Sequence, residues 1–155
     1  MKKFFVWMAS GFGLGFSPVA SGTTGSLPGV ALAWYINSHL PWALQVPLAL
    51  ALTALAVPIC DVAEKHYGKK DDGRIVADEW MLFPLCVIGL PADPLMFLVA
   101  FVMARLFDIL KLWPAHGLQR IKGGLGIVID DFFAMLYALA ANHLAFYALR
   151  HLLHK

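Results

Sequence analysis

From Phe4 to Ile59 the chain carries no Asp, Glu, Lys or Arg, and a second bare run extends from Phe132 to Leu149. A backbone crossing a bilayer must satisfy its own N–H and C=O groups, and a helix of roughly 20 apolar residues does so. Runs of this kind leave little room for a water-soluble fold. The composition agrees: 60% of residues are hydrophobic and the mean hydropathy is +0.71, above the usual soluble range. The expected fold is all-α, a multi-pass membrane helical bundle, with residues 1–155 forming one domain.

The charges are as informative as their absence. Residues 61–79 hold ten of the 22 Asp, Glu, Lys and Arg, and residues 105–131 hold seven more. A net charge of +2 without a basic stripe gives no case for nucleic acid. Cys60 and Cys86 sit in apolar company without CxxC spacing and read as two buried thiols. The N-terminus imitates a secretory signal, with Lys2-Lys3 before the apolar run Phe4 to Ala9. That run is short, and Gly11 to Ser26 after it is rich in glycine and hydroxyls, so retention is expected. Backbone amides in such a stretch can form a concave anion site, which makes Thr23, Thr24, Gly25 and Ser26 candidate substrate-binding residues. Tight turns at the membrane surface would explain the same composition.

Two helical hairpins follow from the breaks. Leu27 to Ile59 is interrupted at Asn37-Ser38-His39-Leu40-Pro41, and its second limb, from Trp42, is long enough to span. Its exit places Asp61 and Glu64 on one helix face. Trp80 to Leu90 forms the first limb of the second hairpin, Pro91-Ala92-Asp93-Pro94 the turn, and Leu95 to Leu110 the return. Arg105, Asp108 and Lys111 recur every third residue and are expected as a stripe on one helix face, before Trp113-Pro114 stops the helix. The basic segment Arg120 to Gly124 leads into a last helix carrying Asp130 and Asp131 in its first turns.

Every polar cluster thus returns to one face, and its Lys and Arg content makes that face cytoplasmic by the positive-inside rule. Two acidic pairs, Asp78-Glu79 and Asp130-Asp131, each abut an apolar run. Carboxylates at such a border need a partner, and two pairs in a chain with 14% charged residues suggest a shared cation. Oxygen donors without thiolates suit Mg2+ or a similar hard ion, so Glu64, Asp78, Glu79, Asp130 and Asp131 are candidate ligands. Arg105 and Lys111 would hold phosphate oxygens, with Asp71 or Asp108 orienting water or protonating a leaving group. Lys122, Gly123 and Gly124 join the candidate substrate-binding set. Asp130 and Asp131 could instead be simple helix-start residues, and Arg105, Asp108 and Lys111 a salt-bridged stripe.

With these segments in order, the chain resembles the phosphatidylglycerophosphatase A family of bacterial membrane lipid phosphatases. The matching segments are Gly13-x-Gly-x-Ser17-Pro18, Gly22-Thr-Thr-Gly25-Ser26, Asp71-x-Gly73-x-Ile-Val76-x-Asp78-Glu79, Arg105-x-x-Asp108-x-x-Lys111, Trp113-Pro114, and Lys122-Gly-Gly-x-Gly126 with Asp130-Asp131. Ser21 and Leu112 depart from the family pattern, which has Pro at both places. The resemblance implies a Mg2+-dependent enzyme at the bacterial inner membrane that converts phosphatidylglycerophosphate into phosphatidylglycerol and phosphate, with the bilayer as its setting. A phosphatase of broader lipid range or a lipid phosphotransferase is the nearest alternative. A small transporter subunit would place its charges at mid-membrane depth rather than at segment ends.

Overall fold

In the computed structural model, which describes residues 2–118 and 121–153, every regular element is helical. The elements are α1 (Lys2–Ala9), a 3-10 turn (Leu14–Phe16), α2 (Ser21–Gly25), α3 (Leu27–His39), α4 (Trp42–Tyr67), α5 (Ala77–Leu82), a 3-10 segment (Phe83–Val87), α6 (Pro94–Leu110), α7 (Ala115–Leu118) and α8 (Gly124–Leu153). Arg120 of the basic segment lies outside the described residues.

Two helices are long and apolar enough to cross a membrane, α4 and the stretch Gly124–Leu152 of α8. At 1.5 Å per residue they measure about 39 and 44 Å, against about 30 Å of hydrocarbon. The break before α4 falls at Leu40, which is extended ahead of Pro41 as the residue before a proline tends to be. α4 does not stop at Ile59. It continues through Asp61 and Glu64, with an Asp61–Lys65 ion pair of 2.6 Å along its surface, until Gly68 adopts φ 66° and donates its N–H to the Glu64 carbonyl.

The first limb of the second hairpin is not one regular helix. Pro84 has no N–H to donate, and after Leu82 the chain tightens into the 3-10 segment. From Ala77 to Val87 the limb is buried apart from Glu79, which is half-buried. Its loose carbonyls are met by side chains from two other helices, α3 and α8: Asn37 Nδ2 donates to Val87 O and Leu90 O, Asn142 Nδ2 to Cys86 O, and the His143 ring lies 2.9 Å from Ile88 O. Gln45 Oε1 accepts from the Gly89 N–H. At the other end, Val76 donates its N–H to Ala9 O and Trp80 Nε1 donates to Met8 O, which ties the start of α5 to α1. Close packing completes the bundle: a Cβ on Gly29 would stand 2.5 Å from Trp80 O.

α6 begins at Pro94, capped by the Asp93 carboxylate accepting the Met96 N–H at 3.0 Å. It ends one residue before Lys111, which turns away with φ 43°. Lys111 is therefore not the third member of a helical stripe. The Trp113–Pro114 peptide is cis, and α7 leads from there toward α8.

Candidate active site

Four segments converge at the end of the bundle where α4 and α6 finish and α5 and α8 begin. The first turn of α5 supplies Asp78 and Glu79, α6 supplies Asp108 and Ile109, and α8 supplies Asp130 and Asp131. The connection between α4 and α5 supplies Asp71, in a left-handed conformation with φ 49°. With Ser21 and Lys111 these residues line a cavity of about 270 Å³.

Two cations are already drawn onto this acidic wall. Arg105 reaches Glu79 Oε2 with Nη1 at 2.8 Å and Asp108 Oδ2 with Nη2 at 3.0 Å, and it is mostly buried. Lys111 Nζ donates to Asp130 Oδ2 at 2.9 Å from the neighbouring segment. The left-handed turn at Lys111 is what aims it at α8 rather than along α6. Six carboxylates line the cavity, and the charge of Arg105 and Lys111 does not balance them. Asp78 Oδ1 and Asp131 Oδ2 are buried without a hydrogen-bond partner. α5 lies outside both candidate spans, and there burial and the neighbouring Glu79 and Asp71 charges push Asp78 well above the ordinary carboxylate range. Burial likewise raises Glu79 to about 7, against the pull of Arg105 and with Asp108 repelling.

The remaining candidates fall around this cavity rather than in it. Ser26 is buried behind Glu79, with Oγ 2.9 Å from Glu79 Oε2 and 2.8 Å from Gly22 O. Thr24 spends its hydroxyl on the carbonyls of Leu14, Ala20 and Ser21, and Thr23 is half-buried on the same short helix. Gly25 packs on Val76, where a Cβ would come within 2.5 Å of that side chain. The stretch Ser21–Gly25 is thus a short helix, and these glycines let helices approach closely. Gly22 does so beside the charges themselves, since a Cβ there would lie 2.4 Å from Glu79 Oε1 and 2.7 Å from Arg105 Nη2. Gly123 and Gly124 meet Asp61 of α4, Lys122 is exposed, and none of the three lines the cavity. Glu64 is half-buried on α4, also outside the lining.

Beside Asp71 the connection is braced by residues outside the expected set. Arg74 pairs with both oxygens of Asp72, at 2.7 and 3.1 Å, and stacks over the Tyr67 ring at 3.9 Å. The Asp-x-Arg spacing next to a helix-terminal Tyr was the available signal.

The donor set fits a hard cation: it is all oxygen, excess negative charge faces the cavity, and two buried carboxylate oxygens are unpartnered. Among the described residues no three acidic, His or Cys side chains yet stand close enough to enclose an ion. Glu79 and Asp130 instead face Arg105 and Lys111.

Comparison with known proteins gives a consistent result. Residues 7–146 match the family model described as Phosphatidylglycerophosphatase A. A protein of that name from Escherichia coli (strain K12) is 36% identical over 129 residues, covering 82% of this chain and 74% of that protein. Another of the same name from Haemophilus influenzae is 35% identical over 134 residues, covering 85% and 82%. A Bacteroides thetaiotaomicron protein, named provisionally as a phosphatidylinositol-3-phosphatase, is 29% identical over 140 residues, covering 86% and 87%. No solved structure matches.

Proposed function

Because the chain belongs to the phosphatidylglycerophosphatase A family, we propose that it hydrolyses phosphatidylglycerophosphate to phosphatidylglycerol and inorganic phosphate, with Mg2+ as cofactor. The observation that carries this reading is a cavity lined by six carboxylates and Lys111, with Arg105 paired to Glu79 and Asp108 of that lining, while Asp78 and Asp131 keep unpartnered oxygens. A phosphomonoester needs both kinds of group. Cationic donors bind its peripheral oxygens, and carboxylates hold a metal or move a proton.

Asp78, Glu79, Asp130 and Asp131 would hold Mg2+. When bound, the ion supplies neutralisation of phosphate charge and a more acidic water. Arg105, with its planar fork, takes two phosphate oxygens at once, and Lys111 contributes a point charge. Asp71 and Asp108 border the same cavity and are placed to orient the attacking water or to protonate the departing alkoxide. An Asp acting as nucleophile through an aspartyl-phosphate is the other route. With a phosphate made chiral at phosphorus, inversion of configuration in the released phosphate supports direct attack by water, and retention, the sum of two inverting displacements, supports the covalent route.

The setting belongs to the same proposal. The chain is a multi-pass protein of the bacterial inner membrane, with α3 and α4 as one hairpin and the α5 limb with α6 as a second. Its site faces the cytoplasm, because Lys65, Lys69, Lys70, Arg74 and Lys122 cluster at that end in the chain. The Bacteroides relative's name favours one second reading, a phosphatase acting on several lipid phosphomonoesters.

The test is phosphate release by the purified chain from phosphatidylglycerophosphate, with and without EDTA, and with Mg2+ restored. Turnover that EDTA leaves intact would remove the metal, and no turnover at all would remove the function. Comparable rates on an inositol phospholipid phosphomonoester would move the chain to the broader reading. Asp78→Asn and Asp131→Asn should each abolish turnover while leaving thermal unfolding in detergent no lower than wild type, since each removes an uncompensated buried charge.

A further inference from the structure

α6 is apolar on two opposite sides. Met96, Phe97, Ala100 and Ala104 are buried toward the bundle. At about 100° per residue, Leu95, Leu98, Val102, Leu106 and Ile109 fall within about 80° of one another on the far side, and each is between 43% and 72% exposed. A helix apolar all round does not face water on either side. From Leu95 to Ile109 this outer stripe runs about 21 Å, more than the half of a roughly 30 Å hydrocarbon core that one leaflet contributes.

The stripe does not end short of the site. Ile109, its last member, also lines the cavity with Asp108, Lys111, Asp130 and Asp131. The other apolar side chain in that lining, Ile75, is buried. Leu110, Leu112 and Trp113, which flank Lys111 in the chain, are exposed and apolar as well. A competing apolar groove between α4 and α8 is lined on α8 by Leu125, Val128, Ile129 and Phe132. On a helical projection the middle of that set lies about 110° or more from both Asp130 and Asp131, and Val128 alone comes within about 60° of Asp131. That groove has no shared residue with the cavity.

We propose that the outer face of α6 is the docking face for an acyl chain of the lipid substrate. The phosphate then passes from the bilayer surface over Ile109 to Lys111 and Arg105 without the lipid leaving the membrane. The occupant is argued from continuity and chemistry together: a 21 Å apolar track that ends at a polar cavity carrying Lys111, with Arg105 behind its Glu79 and Asp108 walls, matches a molecule with a long hydrocarbon tail and a phosphate head. The inference rests on the reading of the substrate as a phospholipid phosphomonoester.

The experiment compares long-chain phosphatidylglycerophosphate in vesicles of zwitterionic phospholipid with the same headgroup on two short, water-soluble chains. Leu106→Ser and Val102→Ser, which lie outside the cavity, should lower kcat/KM on the long-chain substrate by about fivefold to tenfold, the scale of one partly buried aliphatic contact. Turnover of the short-chain substrate should stay at the wild-type rate. Equal losses on both substrates, or no loss on either, would overturn the docking face. Wild-type protein is also photolabelled with phosphatidylglycerophosphate carrying a diazirine on one chain. Label should map to residues 94–110 and be displaced by unlabelled phosphatidylglycerophosphate, but not by a zwitterionic lipid of the same chains. Label spread equally over α4 and α8, or insensitive to that competitor, would count against the proposal. Displaceable label on α6 in a protein that hydrolyses neither substrate would support the docking face and sink the phosphatase reading alone.

Discussion

Arg105 sits where the sequence left two readings open, as phosphate donor or as a stripe of ion pairs. The structure has it bridging Glu79 and Asp108 from two helices, a buried arrangement that a surface stripe does not produce. A lysine can keep one of those contacts but cannot present two fixed donors. Arg105→Lys is therefore expected to cut turnover by about tenfold to a thousandfold, the scale of losing one oriented donor, while costing about 1 kcal/mol of stability. Wild-type turnover in that variant, measured beside its melting curve, would return Arg105 to a structural role. Glu79 offers a pH test. Its folded pKa of about 7 stands above the ordinary 4.5, so the folded protein holds this proton more tightly than the unfolded chain. The corresponding stability is fully present below about 4.5 and is lost as pH rises through about 7. The Tm of the metal-free protein should accordingly fall between about pH 5 and pH 8, and added Mg2+ should raise it most at the upper end. A Mg2+ shift that is largest at pH 5 would contradict the site. The acidic pairs were legible in sequence because charge beside an apolar run is costly. The bridge from Arg105 to Glu79 was not, since it depends on how α5 and α6 cross.

At the scale of elements, the chain breaks at Leu40-Pro41 and around Pro91 to Pro94 could be read directly from turn chemistry, and the structure has breaks at both. Two features were missed for physical reasons. The expected limb closes at Ile59 with Asp61 and Glu64 on its exit face, yet the helix runs on to Tyr67, with Asp61 and Lys65 paired along it and Gly68 as its terminator. The limb from Trp80 to Leu90 shows in the sequence only as an apolar run, and the change from α to 3-10 near Pro84 is tolerated because distant side chains meet its carbonyls. Asn142 is one of these and is fully buried. Replacing it in Asn142→Leu leaves Cys86 O without its donor, and unfolding in detergent should show a loss of about 1 to 3 kcal/mol. Asn142→Leu with wild-type stability would mean that the broken limb does not depend on this contact. Gly29→Ala should cost a comparable amount by overpacking, about 1 to 3 kcal/mol, because its Cβ would meet the Trp80 carbonyl at 2.5 Å.

For the whole molecule, the sequence located one polar end, and the structure gathers α4, α5, α6 and α8 there around the carboxylates. It did not predict that Thr24, Ser26 and Gly25 would be used for packing, because hydroxyls and glycines serve helix contacts and anion sites equally well. Topology is checked by single cysteines labelled with a membrane-impermeant thiol reagent. Lys69→Cys and Lys122→Cys should react only from the cytoplasmic side, and His39→Cys only from the opposite one, in line with the basic content of the site end. Reaction of the first two from opposite sides would defeat the hairpin arrangement. The clamp on residues 86–90 also sets an order of manufacture. Asn37 and Gln45 are made before the segment they hold, but Asn142 and His143 are made long after it, so Cys86 and Ile88 wait for partners until α8 is in place. A chain halted before residue 142 would already contain Asp78, Glu79, Arg105, Lys111, Asp130 and Asp131, yet the carbonyls of Cys86 and Ile88 would still lack these two partners; the far half of α8 acts as the latch on a cavity whose ionisable groups are all synthesised before it.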